Sequence, residues 1–221
     1  MALALFDLDN TLLGGDSDYL WGQFLIELGV VDGDTHEHEN LRFYEDYKNG
    51  TLDIDAFLAF QLAPLAQHPQ ATLNQWHAQF MAEKIAAIML NKARQLIKKH
   101  CDAGDTPLII TATNRFVTGP IAKAFGVNTL IATEPEEANG QFTGNYSGTP
   151  CFREGKIVRL NEWLEKNEHD LEGSYFYSDS HNDIPLLEIV DHPVAVDADD
   201  TLTNHAKARD WPIISLRQAR I

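Results

Sequence analysis

Short apolar runs alternate with longer amphipathic stretches along most of the chain. The runs that begin at Leu3, Leu108 and Tyr175 are continuous and short, which is typical of strands buried on both faces of a sheet. Between them, apolar residues recur at spacings of three and four, as in helices with one buried face. This pattern predicts strands near 3–6, 108–110, 130–132, 175–178, 194–196 and 213–214, and helices near 83–100, 114–125, 154–166 and 200–209.

The alternation of strand and helix is delayed after the first strand. From about residue 17 to residue 100 the pattern is almost wholly helical, as Trp21, Phe24 and Leu28 illustrate. We therefore predict a helical cap over residues 14–86, inserted into a core formed by residues 1–13 and 87–221. The stretch 135–150 is rich in Gly, Asn and Thr and predicts either a loop or a β-ribbon.

Repeated strand-then-helix units predict an α/β fold, a Rossmann-like and mainly parallel sheet flanked by helices. In such a sheet the carboxyl ends of the strands meet along one edge, where ligands bind. Polar residues follow three of the predicted strands at that edge: Asp7 with Asp9, Thr111 with Thr113, and the segment 179–183. We expect these residues to converge although they lie far apart in sequence.

Composition narrows the classes of function. No apolar run reaches the roughly 20 residues that cross a bilayer, and the start of the chain lacks the pattern of a secretory signal. We therefore expect a cytoplasmic protein without membrane contact. The charge of −16, from 33 acids against 17 Lys and Arg, opposes nucleic acid as a partner but allows a small phosphorylated metabolite. Cys101 and Cys151 lack metal-ligand spacing and are predicted to be idle thiols.

Four acids gathered at one edge would repel one another unless a cation lay among them. Mg²⁺ is the natural candidate, because it takes oxygen ligands from one or two carboxylates together with water and phosphate. We predict a metal site with the carboxylates of Asp7 and Asp179 and the carbonyl of Asp9, where Asp183 either binds the metal or orients a water. The alternative for Asp7 and Asp9 is that they only shape a turn.

This arrangement predicts phosphate chemistry. One oxygen of Asp7 would attack phosphorus and form an aspartyl-phosphate, while Asp9 would protonate the leaving alkoxide and later accept a proton from water. Thr111, just before a helix, and Lys156 would hold the phosphate. The alternatives are a helix-capping role for Thr111 and a solvated position for Lys156. Asn182 is assigned to the substrate- and phosphate-binding residues, and it is expected to hydrogen-bond Lys156 or the loop backbone.

The segments 6–12 and 178–183, with Thr111 and Lys156, resemble the four motifs of haloacid dehalogenase-type phosphatases. The insertion after the first motif resembles their helical type-1 cap, and the most similar subgroup is IB, the phosphoserine phosphatase-like one, which includes histidinol-phosphate phosphatases. The resemblance implies Mg²⁺ as cofactor. It implies that Asp7 is the nucleophile, Asp9 the acid/base, Thr111 and Lys156 phosphate-binding residues, and Asp179 and Asp183 the acidic pair of the last motif.

The chain departs from this resemblance at two places. Ser178 stands where a Gly is frequent, and Ala112 with Thr113 replaces paired glycines, so Ala112 lies at a substrate-facing position. Asp16 stands where the subgroup often has an acid that contacts a substrate ammonium.

A substrate with a carboxylate would also need an Arg or Lys from the cap. Arg42 and Lys48 are the nearest options there, and neither has a convincing motif around it. We therefore expect an amino-bearing alcohol phosphate, with histidinol phosphate favoured and phosphoserine next. A phosphomutase and a non-catalytic metal- or phosphate-binding regulator remain as alternatives.

Overall fold

The computed structural model describes residues 2–217 and contains a seven-stranded sheet in the order β4-β3-β2-β1-β5-β6-β7. Neighbouring strands are parallel except β3 and β4, which are antiparallel. The α/β fold predicted from the sequence is confirmed. The strands are β1 (Leu3–Phe6), β2 (Thr106–Asn114), β3 (Thr129–Ala138), β4 (Gln141–Ser147), β5 (Tyr175–Ser178), β6 (His192–Val196) and β7 (Ile213–Ile214).

Most helices lie either in one long segment between β1 and β2 or in the connections between later strands. The first segment contains α1 (Ser17–Glu27), α2 (Gly33–Lys48), α3 (Ile54–Ala66), α4 (Gln70–Phe80), a π-helical turn (Met81–Ile85), α5 (Ala86–Ile88) and α6 (Asn91–Ala103). The later helices are α7 (Arg115–Ala124), α8 (Glu154–Asn167), a 3₁₀ turn (His181–Asp183), α9 (Ile184–Leu187) and α10 (Asp200–Ala208). No helix within residues 2–217 is both long enough and apolar enough to span a bilayer.

The position of β1 in the middle of the sheet determines what its carboxyl end meets. Phe6 lies opposite Ile109 of β2 and Tyr177 of β5 in parallel register. The next residue, Asp7, therefore reaches the sheet edge between the ends of β2 and β5. Its main-chain amide donates to the Tyr177 carbonyl at 2.9 Å, which fixes this position.

Alternate residues of β1 face two separate apolar layers. Leu3 and Leu5 pack into the layer that includes Phe176 and Leu160 of α8, while Ala4 and Phe6 face the other layer. This alternation is the period-two pattern of a strand buried on both faces. Both layers are close-packed around β1, so the site at the sheet edge rests on a packed core.

The second layer is shared between the sheet and the long helical segment. Trp21 of α1 meets Phe80 and Phe116 edge to face, with ring centroids 5.2 and 5.6 Å apart. The His77 ring nitrogen Nε2 lies 2.8 Å from the Val117 carbonyl of α7. The segment thus packs directly on the sheet body, and its division into a cap at 14–86 stays a prediction.

The predicted helix over 83–100 is wrong as a single element, because the chain is extended at Met89 and Leu90 between α5 and α6. Met89 forms an antiparallel bridge with Leu13, and Gly14 donates its amide to the Ile88 carbonyl at 2.7 Å. This bridge holds the residues that precede α1 next to the residues that precede α6. Helical periodicity does not reveal such a break, because the apolar spacing continues across it.

The sequence allowed the stretch 135–150 to be either a loop or a β-ribbon. The structure contains the ribbon. Strand β3 is longer than predicted and pairs with β4 from Glu134 opposite Ser147 to Ala138 opposite Gln141. Helix α3 packs against β4, and the Tyr146 hydroxyl donates to Asp55 at 2.6 Å. The ribbon therefore extends the sheet beneath the helical segment.

Candidate active site

Lys156 lies at the centre of the acidic cluster. Its Nζ donates to Asp7 Oδ1 at 2.7 Å and to the Asp183 carboxylate at 2.8 Å. All three residues are buried, with exposed fractions of 3% for Lys156, 6% for Asp7 and 2% for Asp183. The predicted convergence of Asp7 with the segment 179–183 is therefore present. Lys156 of α8 joins them, and the solvated alternative for Lys156 does not occur.

Asp9 has separate partners on the other side of the site. Its Oδ2 accepts from the Thr113 hydroxyl at 2.9 Å, and its Oδ1 accepts from the Ser17 amide at 2.6 Å. Asn10, which follows, has a φ of 57° and takes the left-handed conformation that Asn tolerates. This turn carries the chain from β1 into the helical segment and leaves the Asp9 carboxylate directed at the end of β2.

Asp179 follows β5 and is anchored by Thr11, whose hydroxyl donates to Asp179 Oδ1 at 3.0 Å. Within residues 2–217, no three His, Cys, Asp or Glu side chains form a group that could enclose a cation by themselves. Asp9 and Asp183 have protein donors at both carboxylate oxygens, whereas Asp7 and Asp179 each have a donor at only one. The carboxylates left for a metal are those of Asp7 and Asp179, a number that Mg²⁺ commonly uses.

Burial strongly perturbs the acids of the site. It raises the pKa of Asp7 to about 7, although Lys156 opposes the shift, and it raises the pKa of Asp9 to about 6, with Asp16 adding to the effect. The pKa of Asp179 lies well above its usual range for the same reason, with the Asp7 charge as the next cause.

The net effect on Lys156 favours its charged form, whereas the net effect on these acids favours the neutral form. Its burial favours the neutral form, but the charges of Asp183 and Asp7 outweigh this effect and raise its pKa well above normal. A charged Lys156 therefore persists at any physiological pH.

Thr111, Ala112 and Asp16 line a pocket that opens beside Asp7 and Asp9. Thr111 Oγ1 accepts the Thr113 amide at 3.2 Å, a bond within the last residues of β2 before α7. Asp16 Oδ1 accepts the amides of Asp18 and Tyr19, both at 2.9 Å, and caps α1. These three residues reach the pocket as predicted, and two of them also have a local structural role.

The predicted substrate contact of Asn182 needs correction. Its amide nitrogen donates to the Tyr47 carbonyl and to Ser180 Oγ, both at 3.2 Å, and its Oδ1 accepts from Arg153 Nε at 3.0 Å. Both ends of the side chain are thus used within the protein, and Asn182 is not among the residues that line the pocket. Its bond to Lys156, one of the two expected alternatives, does not form.

Asn182 and Arg153 instead connect the core to the end of α2. Arg153 Nη2 donates to the Gly50 carbonyl, while Asn182 reaches Tyr47 one turn earlier. Gly50 has a φ of 70°, and a Cβ there would lie 3.1 Å from Arg153 Nη2. Glycine therefore permits both the turn and the close approach.

The supporting roles of several hydroxyl residues were not predicted. The Ser178 hydroxyl, where a Gly is frequent in the resembling family, donates to Asp183 Oδ2 at 2.7 Å. Thr113 and Thr11 hold Asp9 and Asp179 in the same way. The only signal in the sequence is a hydroxyl residue within a few positions of each strand end, which is too common to distinguish these from ordinary turn residues.

Comparison with known proteins identifies the class. The family model of the haloacid dehalogenase-like hydrolases matches residues 4–188. The chain belongs to this family. It is a phosphatase of the family, close in sequence to a histidinol-phosphatase and related to phosphoserine phosphatases.

The relatives support this placement over the full length. A histidinol-phosphatase of Neisseria meningitidis is 48% identical, and the alignment covers 97% of this chain and 99% of the relative. The phosphoserine phosphatase SerB1 of Mycobacterium tuberculosis is 30% identical over 99% of this chain and 72% of its own length.

Solved structures share the fold. A protein of unknown function from Bordetella pertussis Tohama I superimposes with a TM-score of 0.92 at 45% identity, covering 98% of this chain and 99% of that one. A phosphoserine phosphatase, solved as an analogue of its phospho-aspartyl intermediate, gives a TM-score of 0.71 at 18% identity, covering 98% of this chain and 94% of that one.

The buried position of Lys156 leads to a prediction about stability. Lys156→Met in metal-free buffer should lower the free energy of unfolding at pH 8 by about 3–5 kcal/mol, the usual cost of breaking a buried pair. Lys156 lowers the Asp7 pKa, so its loss raises that pKa further above the unfolded value. A group with a raised folded pKa loses stabilisation as pH rises through that value, and the deficit should therefore be smaller at pH 5.5.

Urea unfolding at the two pH values measures this difference. Lys166→Met, an exposed change on the same helix α8, serves as the matched control. An equal loss for Lys156→Met at both pH values would contradict the coupling between Lys156 and Asp7.

Proposed function

We propose that the protein is a Mg²⁺-dependent phosphomonoesterase that acts through an aspartyl-phosphate on Asp7. The observation that carries the proposal is the position of Asp7, held at the sheet edge by Lys156 and lining the same pocket as Asp9. A nucleophile and an acid/base on one short loop are what such a two-step transfer needs.

The residues present fit a magnesium ion. Asp7, Asp179 and the Asp9 carbonyl would hold it, with Asp183 as a residue that orients a water, because Lys156 and Ser178 already bind its carboxylate. The fit is supported by the raised pKa values of Asp7 and Asp179 and by a donor set made only of oxygen. When bound, the cation supplies positive charge that offsets both the acids and the substrate phosphate.

Protein groups account for the remaining chemistry. Lys156 holds Asp7 Oδ1, and no donor within residues 2–217 takes Oδ2, which is free to attack phosphorus. The attack forms the acyl phosphate and breaks the bond to the leaving oxygen. Asp9, kept near a pKa of about 6 by burial, gives its proton to that oxygen. It then takes a proton from the water that attacks phosphorus, which breaks the bond to Asp7 and releases phosphate.

Lys156 and the end of β2 complete the phosphate site. The ammonium of Lys156 neutralises charge on Asp7 and on the phosphoryl oxygens. Thr111 and Ala112 line the pocket directly before α7, whose free amide groups favour an anion. Asn114 accepts the Val117 amide at 3.2 Å and fixes the start of this helix.

The pocket also bears on the substrate. None of its lining residues within 2–217 is Lys or Arg. Arg42 and Lys48 project from α2 and pair with Glu39 and Glu45 at exposed positions. A substrate carboxylate would therefore lack a basic partner, which favours histidinol phosphate over phosphoserine and agrees with the activity named for the Neisseria relative. A cytoplasmic location remains an expectation from the sequence.

The substrate proposal is tested with purified protein and Mg²⁺. We expect kcat/KM for histidinol phosphate to exceed that for phosphoserine by at least about 100-fold, because a buried, unpaired carboxylate costs several kcal/mol. Phosphate release under matched conditions gives both values. A preference for phosphoserine would contradict the proposal.

The nucleophile is tested by Asp7→Asn, which keeps the shape of the side chain. We expect phosphate release to fall at least about 1000-fold, because the amide does not attack phosphorus. Asp34→Asn at an exposed site of α2 is the control and should retain full activity. Normal turnover by Asp7→Asn would exclude this nucleophile, and transfer of phosphate to an added alcohol in preference to water would favour the phosphomutase alternative.

The metal site is tested by thermal unfolding after treatment with EDTA. The raised pKa values of Asp7, about 7, and Asp179 mean that their ionisation destabilises the folded protein as pH rises through these values. Added Mg²⁺ should therefore raise Tm by several degrees at pH 8 and less at pH 5.5. The rise should shrink in Asp179→Asn. NaCl of equal ionic strength is the control, and a rise of the same size with NaCl would refute the site.

A further inference from the structure

Helix α2 presents one face to the pocket that contains Asp7 and Asp9. The residues of this face recur at spacings of three and four, and all of them line the pocket: Asn40, Phe43, Tyr44 and Tyr47. Tyr47 lies in the last turn of the helix, where α2 meets the core. The face therefore runs along the pocket and ends at Tyr47.

Contacts with the core fix the position of Tyr47. Its main-chain carbonyl accepts from Asn182 Nδ2 at 3.2 Å. Its ring contacts that of Phe152, with centroids 5.9 Å apart. Phe152 also lines the pocket and belongs to the loop directly before α8, four residues before Lys156. Tyr47 therefore lies on the Lys156 side of the pocket.

The hydroxyl of Tyr47 is open to the pocket, because no group of residues 2–217 forms a hydrogen bond with it. Three other polar side chains of the helical segment that line the pocket have partners. Asn40 donates to the Tyr19 carbonyl at 3.1 Å, and Gln61 donates to Asn40 at 3.4 Å. The Tyr19 hydroxyl donates to Glu37 at 3.2 Å. Tyr47 is thus a donor without a protein acceptor.

The charges of the site act directly on this hydroxyl. Burial raises the pKa of Tyr47 well above its usual range, and the charges of Asp179, Asp183 and Asp7 add to the effect, whereas Lys156 opposes it. The hydroxyl therefore keeps its proton and remains a donor, as an unperturbed phenol also would at neutral pH. Since the charges of these groups reach it, the hydroxyl faces the catalytic cluster rather than solvent.

A bound phosphate ester brings several oxygens that need donors. The core offers Lys156 and the free amides at the start of α7, and no Lys or Arg of residues 2–217 lines the pocket. A phosphoryl oxygen that faces α2 therefore depends on a neutral donor from that helix. Tyr44 packs its ring against Tyr19 of α1, with centroids 5.7 Å apart, so Tyr47 is the tyrosine next to the core.

We propose that the Tyr47 hydroxyl donates a hydrogen bond to the phosphoryl group of the bound substrate, as a catalytic residue supplied by α2. This inference rests on the proposed phosphatase function. Asn182 and Arg153 are positioning residues, because they bind the carbonyls of Tyr47 and Gly50 and so hold the turn that carries the ring. The phosphate contact expected of Asn182 is made by Tyr47 instead.

Tyr47→Phe tests the contact on two substrates, histidinol phosphate and 4-nitrophenyl phosphate. The change removes the hydroxyl and keeps both the ring and the main-chain carbonyl. We expect kcat/KM to fall about 10- to 100-fold on each substrate, the usual range for a lost hydrogen bond to a charged group. Because the phosphoryl group is common to both, the two losses should agree within about threefold. Unchanged constants, or a loss confined to histidinol phosphate, would overturn the proposal.

Tyr175→Phe is the matched control. It also removes a tyrosine hydroxyl, but at the start of β5, the end opposite the site, and Tyr175 does not line the pocket. Its kcat/KM should stay within about twofold of wild type. Circular dichroism and Tm show whether each variant is folded. A fall in Tm of Tyr47→Phe that accounts for its lost activity, with full activity recovered on cooling, would show a structural role and refute the contact.

An Arg153→Met background tests how Tyr47 is positioned. The turn at Gly50 then loses one of its two hydrogen bonds to the core. The fold-loss caused by Tyr47→Phe should therefore be at least about threefold smaller in this background than in the wild-type background, because residues that act through one another are not additive. An equal loss in the two backgrounds would contradict the positioning role of Arg153.

Calorimetric titration with inorganic phosphate in the presence of Mg²⁺ separates this inference from the proposed function. Wild type should bind phosphate about tenfold more tightly than Tyr47→Phe, whether or not an ester is hydrolysed. Equal affinity of the two proteins would refute the Tyr47 contact and leave the hydrolase proposal standing. Weaker binding by Tyr47→Phe, together with no hydrolysis of either ester by wild type, would refute the hydrolase and support the contact.

Discussion

The whole site depends on one buried ion-pair cluster, in which Lys156 bridges Asp7 and Asp183 at the carboxyl edge of the sheet. Each member comes from a different part of the chain: the end of β1, the first turns of α8 and the loop after β5. Asp7 and Asp183 meet because β1 and β5 are adjacent and parallel, so that their carboxyl ends lie side by side. The strand order of the sheet therefore determines the geometry of this cluster.

The same cluster explains why hydroxyl side chains surround it. Thr11, Thr113 and Ser178 each donate to one acid of the site. Each bond satisfies one carboxylate oxygen and limits its orientation, so the acids differ in what they have left to offer. Asp7 keeps an oxygen for chemistry, while Asp183 is held between Lys156 and Ser178. The four aspartates of the site thus differ in their hydrogen bonds, because each has different neighbours.

Much of the fold follows from local pattern. The runs at Leu3, Leu108 and Tyr175 become adjacent parallel strands, and the acids behind them converge because parallel strands share one edge. The break at Met89 was not predictable, because it results from a bridge to Leu13 that no local period encodes. The role of Asn182 depends on where α2 ends in space, which is likewise a tertiary property.

Asp18 shows a different limit of sequence reasoning. An acid in the first turn of a helix is ordinarily explained by the helix dipole, and Asp18 satisfies that description. Only its burial, and the fact that Asp16 already fills the cap, separate it from an ordinary first-turn acid. The burial of a first-turn acid is a tertiary property, because it depends on what packs against α1.

The attachment of α2 to the core involves main-chain acceptors. Asn182 and Arg153 bind the carbonyl oxygens of Tyr47 and Gly50, groups that every amino acid carries. The pocket-facing side chains of the same helix, such as Phe43 and Tyr44, take no part in these bonds. Substitution of the side chains on the pocket side of this helix would therefore leave in place the two hydrogen bonds that hold its carboxyl end to the core.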